Sequence, residues 1–175
     1  MSDEREFLES LLLAEHSKGQ TMRIVHWIGQ DPAKLACLLD IFMGDQYRLT
    51  QRGAWAVRYV GEAQPELMAP WLPKLVEALA RPNAHDAVKR NALNVFEALP
   101  IPSHLVEALA DAVFPLLENP QEAVAIRCAA MTVLDKICQQ VPELSPALLL
   151  QIEGMQTTGS AGLKSRAKRV YRKYG

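Results

Sequence analysis

The chain has 175 residues, 49% of them hydrophobic and 22% charged, with a net charge of −1. That length and balance belong to a folded chain with its own core and exclude a highly charged disordered polymer. A near-neutral molecule is not drawn as a whole to nucleic acid or anionic membrane, so any hold on phosphate has to come from a local patch. The three cysteines, Cys37, Cys128 and Cys138, are scattered through apolar helical patterns and make neither a disulfide framework nor a zinc-binding spacing. No metal and no cofactor are expected. The first residues, Met-Ser-Asp-Glu-Arg-Glu, are charged, and no apolar run reaches membrane-spanning length, which points to the cytoplasm and away from membranes.

Taken in chain order, apolar residues recur at three- and four-residue spacing between clusters of Gly and Pro, the pattern of amphipathic helices. A first pair is expected at about 3–16, with Phe7, Leu8, Leu11 and Leu12, and 18–30, with Ile24, Trp27 and Ile28. Asp31-Pro32, a good N-cap followed by a good first residue, opens a helix carrying Leu35, Leu38, Leu39 and Phe42. Gly44-Asp45 then turns the chain into a helix at about 47–62. The third pair runs 65–80 and 84–99, with Pro70 and Pro73 set to break or kink the start of its first member. The fourth runs 102–118 and 121–140, and the fifth 142–157 and 160–174. No segment alternates apolar and polar with β-branched enrichment, so no strand is needed.

Self-similarity organises these helices. Arg52, Arg90, Arg127 and Arg166 each stand near the start of the second helix of a pair, at a spacing close to the roughly 40-residue period of helical-pair repeats. Small and apolar residues follow each one: Gly-Ala-Trp-Ala-Val, Asn-Ala-Leu-Asn-Val, Cys-Ala-Ala-Met-Thr-Val and Ala-Lys-Arg-Val. The segment Ala125-Ile126-Arg127-Cys128-Ala129-Ala130-Met131-Thr132-Val133-Leu134 resembles the second helix of a HEAT repeat, Val-Arg-x-x-Ala-x-x-Ala-Leu. Ala87-Val88-Lys89-Arg90-Asn91-Ala92-Leu93 is similar to it, with Lys89 in the Arg slot. The resemblance implies an all-α, α-solenoid fold of about five antiparallel helix pairs, stacked as a right-handed superhelix. The pairs, at about 3–31, 32–64, 65–101, 102–141 and 142–175, are expected to form a single domain over 1–175, with atypical terminal pairs as caps.

The resemblance also implies that second helices line a concave surface. Their polar stripes then make a partly basic trough holding Arg48, Arg52, Trp55, Lys89, Arg90, Arg127, Arg166 and Arg169, the expected contacts for a partner or for phosphate. In HEAT proteins the repeated Arg bridges acidic turn residues of adjacent repeats, a role for which Asp45, Asp86 and Glu122 are placed. His16, Lys18, Tyr47, His85 and Asp86 fall in turns along one expected edge of the stack. Trp55, an aromatic on a basic polar face, can stack on a base or cation or fill a gap between repeats.

Enzyme signals are missing. The sequence has no Gly-rich phosphate loop, no nucleophile elbow and no His-x-x-x-His pair, and no catalytic residue is assigned. The leading expectation is a non-catalytic scaffold that binds a protein partner, extended and acidic, on the concave face. The alternative is a nucleic-acid-binding module. Its model is the HEAT-like alkyl-base DNA glycosylases, whose basic concave face is loosely similar to Trp55, Arg52, Arg90, Arg127 and the basic last helix. The catalytic Asp and second concave Trp of those enzymes have no counterpart here.

Overall fold

Helix boundaries follow local chemistry. Ser17 caps one helix by accepting from the Gln20 amide at 3.1 Å, and Asp31 caps the next by accepting from Ala33 at 2.9 Å. Gly29, between them, has a φ of 53°, a conformation that costs glycine nothing and any other residue some strain. His85 does the same work as Asp31, its Nδ1 accepting from the Ala87 amide at 3.0 Å.

In the computed structural model, which describes residues 2–175, every regular element among the described residues is helical. Met1, the start of the charged N-terminal run, lies outside them. The chain divides into two compact units, Met1–Leu99 and Pro100–Gly175.

The first unit holds α1 (Ser2–Ala14), α2 (Lys18–Ile28), α3 (Pro32–Phe42), α4 (Tyr47–Ala63), α5 (Pro65–Met68), α6 (Leu72–Ala80) and α7 (Asp86–Ala98). The long α4 is its centre, packing against α1, α2, α3 and α7, while α6 packs on α7. The core is built from Leu8, Leu12, Ile24, Ile28, Leu35, Leu38, Leu39, Phe42, Val57, Met68, Leu75 and Phe96, all buried. The expected 65–80 helix is in three pieces: α5, a 3-10 turn at Ala69–Trp71, and α6. Pro70 and Pro73 are the cause, since each lacks the amide an interior helical turn requires. Each instead sits in the first turn of its own segment, where that amide has no partner to lose.

The second unit holds α8 (Val106–Glu118), α9 (Val124–Gln140), α10 (Ser145–Ile152), α11 (Met155–Thr158) and α12 (Ala161–Tyr174), with 3-10 turns at Ser103–Leu105 and Pro142–Leu144 leading into α8 and α10. Here α9 is central, against α8, α10 and α12, and α12 also packs on α10 and α11. Leu109, Val113, Met131, Leu134, Ile137, Leu148, Ile152, Leu163 and Val170 close the core. The expected 142–157 helix ends at Ile152, turns through Glu153 and Gly154, and resumes for one turn as α11.

Small residues of α4, Gly53, Ala54, Ala56 and Gly61, are buried against its neighbours. Close approach does not demand glycine there. A Cβ on Gly53 would meet Leu38 at 3.7 Å, and one on Gly61 would meet Val95 at 3.6 Å, both ordinary contact distances.

Candidate functional site

The repeated arginines are largely committed inside the fold. Half-buried Arg52 donates through Nη1 to the carbonyl oxygens of Leu12, at 2.8 Å, and Leu13, at 2.9 Å, in the last turn of α1. Half-buried Arg127 donates through Nε to Leu117 O at 3.0 Å, near the end of α8, and its Nη2 lies 3.8 Å from Met155 Sδ. Arg166 donates to Cys128 O at 3.1 Å and to the Thr132 hydroxyl, tying α12 to α9. For Arg52 the acceptors are main-chain carbonyls, and for Arg127 the oxygen acceptor is one too, where the resemblance implied turn carboxylates. For Arg52 and Arg127 the physical reason is plain. The last carbonyls of a helix lack intrahelical donors and carry the negative end of its dipole, so a cation at that end satisfies both.

The remaining candidates of the first unit separate into two clusters. In one, Trp55 on α4 is half-buried, with the His16 ring at 4.8 Å between centroids. Next to it along α4 stand Arg58 and Tyr59, and across from them on α7 stand Arg90 and Asn94. Together with Asn91 these side chains line a cleft of about 360 Å³. Arg58 Cζ lies 5.9 Å from the Tyr59 ring centre, and Lys18 Nζ lies 6.0 Å from it. Glu62 accepts from Arg58 Nε at 2.8 Å and holds that guanidinium still more firmly in its charged form. Arg90 is exposed, whereas Lys89 beside it is buried at 8% exposure. The matching slot of the repeat therefore points Lys89 inward and leaves Arg90 facing the cleft.

In the other cluster, exposed Tyr47 meets His85 edge to face at 4.7 Å. They line a cleft of about 400 Å³ with Asp45, Thr50, Arg81 and Asn83, among others. The His85 Nδ1 is occupied by its capping bond, so the neutral ring carries its proton on Nε2. Arg48 and Asp86 are exposed on the first turns of α4 and α7. The turn residues thus do not form one constellation: His16 and Lys18 join Trp55 and Tyr59, while Tyr47 joins His85.

In the second unit, Arg169 belongs to a basic stripe on α12 with Lys168 and Arg172, which line a shallow depression with Ser165 and Arg166. Lys173 is ion-paired with Asp135 at 2.7 Å, and Tyr174 donates to the same carboxylate at 2.8 Å.

Arg58, Tyr59 and Asn94 belong to the polar stripes of α4 and α7 that are readable in the sequence. They lie three and four residues along the helix from Trp55 and Arg90, and so on the same faces. Among the described residues no group of three or more His, Cys, Asp or Glu side chains is placed to hold a metal ion. No helix among them is long and apolar enough to cross a membrane.

A protein-family model described as a HEAT repeat domain matches residues 8–174. The chain belongs to the HEAT-repeat family. No curated protein matches it. HEAT-repeat domains are helical-repeat scaffolds and interaction modules, and in this HEAT chain the second helices α4 and α7 line the cleft beside Trp55 while α12 carries the basic stripe.

Proposed function

We propose that this HEAT-repeat protein is a non-catalytic interaction module that holds an extended acidic protein segment in the α4–α7 cleft of its first unit. The observation that carries the reading is the composition of that cleft. Trp55 and Tyr59 offer apolar faces, and Arg58, Arg90 and Lys18 surround them with positive charge. Binding hot spots are rich in Trp, Tyr and Arg, because large rigid rings bury area at small entropic cost while guanidinium groups fix carboxylates with two donors. Asn94 adds an amide able to pair with a peptide backbone. One side of Trp55 is already covered by His16, which holds the ring in place before a partner arrives.

The test is titration of a set of extended peptides, acidic and neutral, against the wild type and against Trp55→Ala and Arg90→Ala. Acidic peptides are expected to bind, each variant weakening them at least about ten-fold, the range of an interface anchor. Raising salt should weaken them only modestly, because the ring contacts do not depend on charge. Unchanged affinity in both variants, or equal affinity for neutral peptides, would overturn the reading.

A further inference from the structure

We propose that the outward face of α12 is a separate docking surface for the phosphate backbone of double-stranded nucleic acid, recognised without regard to sequence. The inference goes beyond the peptide cleft, since it concerns another unit, another helix and another class of partner.

The charge distribution is the first observation. From Gly154 to Gly175 the chain carries six cations, Lys164, Arg166, Lys168, Arg169, Arg172 and Lys173, and not one Asp or Glu. The whole chain has a net charge of −1, so the rest of it carries −7. Positive charge is thus segregated onto one helix of a molecule that is otherwise acidic.

Geometry then divides the six. Arg166 and Lys173 are tied to α9, through Cys128 O and Asp135. Leu163, Ala167 and Val170 form the buried stripe. Lys168, Arg169 and Arg172 are exposed on the other side, and Lys164 is half-exposed above them. Lys164, Lys168 and Arg172 stand at positions i, i+4 and i+8, a line of about 12 Å along the helix axis, with Arg169 beside it. Among the described residues, no side-chain hydrogen bond or ion pair engages Lys168, Arg169 or Arg172. Repulsion among them opposes the helix they stand on, while Arg172, in its last turn, also meets the favourable end of the helix dipole.

Charge complementarity selects the partner. A duplex presents about one negative charge per 1.7 Å of axis, so the length facing this line carries roughly seven phosphates. Two of the three exposed cations are arginines, whose forked donors match phosphate oxygens. An anionic lipid surface fits less well. Membrane-lying helices pair their basic face with large apolar side chains, and the apolar stripe of α12 is consumed by its own core. An acidic protein would want several anchors to bury, and beside these cations α12 offers one partly exposed ring, Tyr171, at the edge of the stripe.

The experiment measures anisotropy of a labelled mixed-sequence duplex DNA with the full chain across a salt series. Three phosphate contacts predict a slope of log K against log salt near −2.7, a loss of roughly forty-fold between 50 and 200 mM. Each of Lys168→Ala, Arg169→Ala and Arg172→Ala should reduce the slope by about one, and the triple variant should abolish binding while keeping the wild-type helical circular dichroism. A second duplex of unrelated sequence should bind equally well, and Trp55→Ala with Arg90→Ala should leave binding unchanged. No binding at 50 mM salt, or binding retained by the folded triple variant, overturns the proposal. So does tighter binding to phosphatidylserine vesicles or to polyglutamate than to duplex.

Discussion

At the scale of single residues, the informative contrast is between Arg52 and Arg90, which occupy similar places in the repeat and do different things. Arg52 satisfies two carbonyls at the end of α1, one of them on fully buried Leu12. Charged hydrogen bonds of this kind contribute about 1.5–3 kcal/mol. Arg52→Ala is therefore expected to lower stability in urea by that order, and Arg90→Ala, on the surface, by no more than about 0.5 kcal/mol. Equal effects would show that the α1 contact is incidental. Cys138 makes a second test. Its thiol is buried, which together with the Asp135 carboxylate pushes its pKa up to about 11, against a smaller pull downward from Lys173. An acid whose pKa is raised on folding keeps its proton in the native state while the unfolded chain releases it. Stability from this group should thus be present below pH 9 and fall between pH 9 and about 11, by roughly 2–3 kcal/mol. Urea unfolding of wild type and Cys138→Ala across that range isolates the effect, and parallel curves for the two would count against it.

At the scale of elements, periodicity and breakers made most helices legible. Asp31-Pro32, Gly44-Asp45 and the prolines at 70 and 73 mark boundaries because a missing amide or a side-chain cap acts within a few residues. The break at Glu153–Gly154 was not legible, because a lone glycine inside an apolar pattern does not by itself distinguish a turn from a tolerated substitution. The small residues of α4 were readable as a packing surface, but only the packed neighbours show that there is room for a methyl group. Gly53→Ala and Gly61→Ala are each expected to stabilise the protein by about 0.5–1 kcal/mol, since alanine is the better helix former and its Cβ meets only ordinary contacts. Thermal and urea denaturation check this, and a loss of stability would mean the space around α4 is tighter than the distances imply. For α12 the element itself carries a message. Like charges three and four apart each cost an isolated helix about 0.2–0.5 kcal/mol, yet its outward face keeps them.

At the scale of the whole molecule, the two units each close a core of their own, and their probes are separable. Trp27, Trp55 and Trp71 all belong to Met1–Leu99, so tryptophan emission follows that unit alone while far-ultraviolet circular dichroism follows both. Different midpoints for the two signals in urea are expected, as for repeat proteins whose cooperativity is limited to neighbours. Coincident curves would show that the units unfold together. The sequence alone determined that the chain is helical, that its helices recur in pairs near a 40-residue period, and that its second helices carry arginines and an unusual tryptophan. These follow from side-chain spacing, which a linear text contains. Tertiary structure decided which cations are spent inside and which face outward. Arg52 finds its carbonyls 39 and 40 residues away, and Arg166 finds Cys128 at a distance of 38. Every residue has a carbonyl, so the acceptor leaves no trace in the identity of the residue that offers it. Only the packing of one helix end against another makes that carbonyl available, and only that packing separates the arginines that hold the fold from those that face outward.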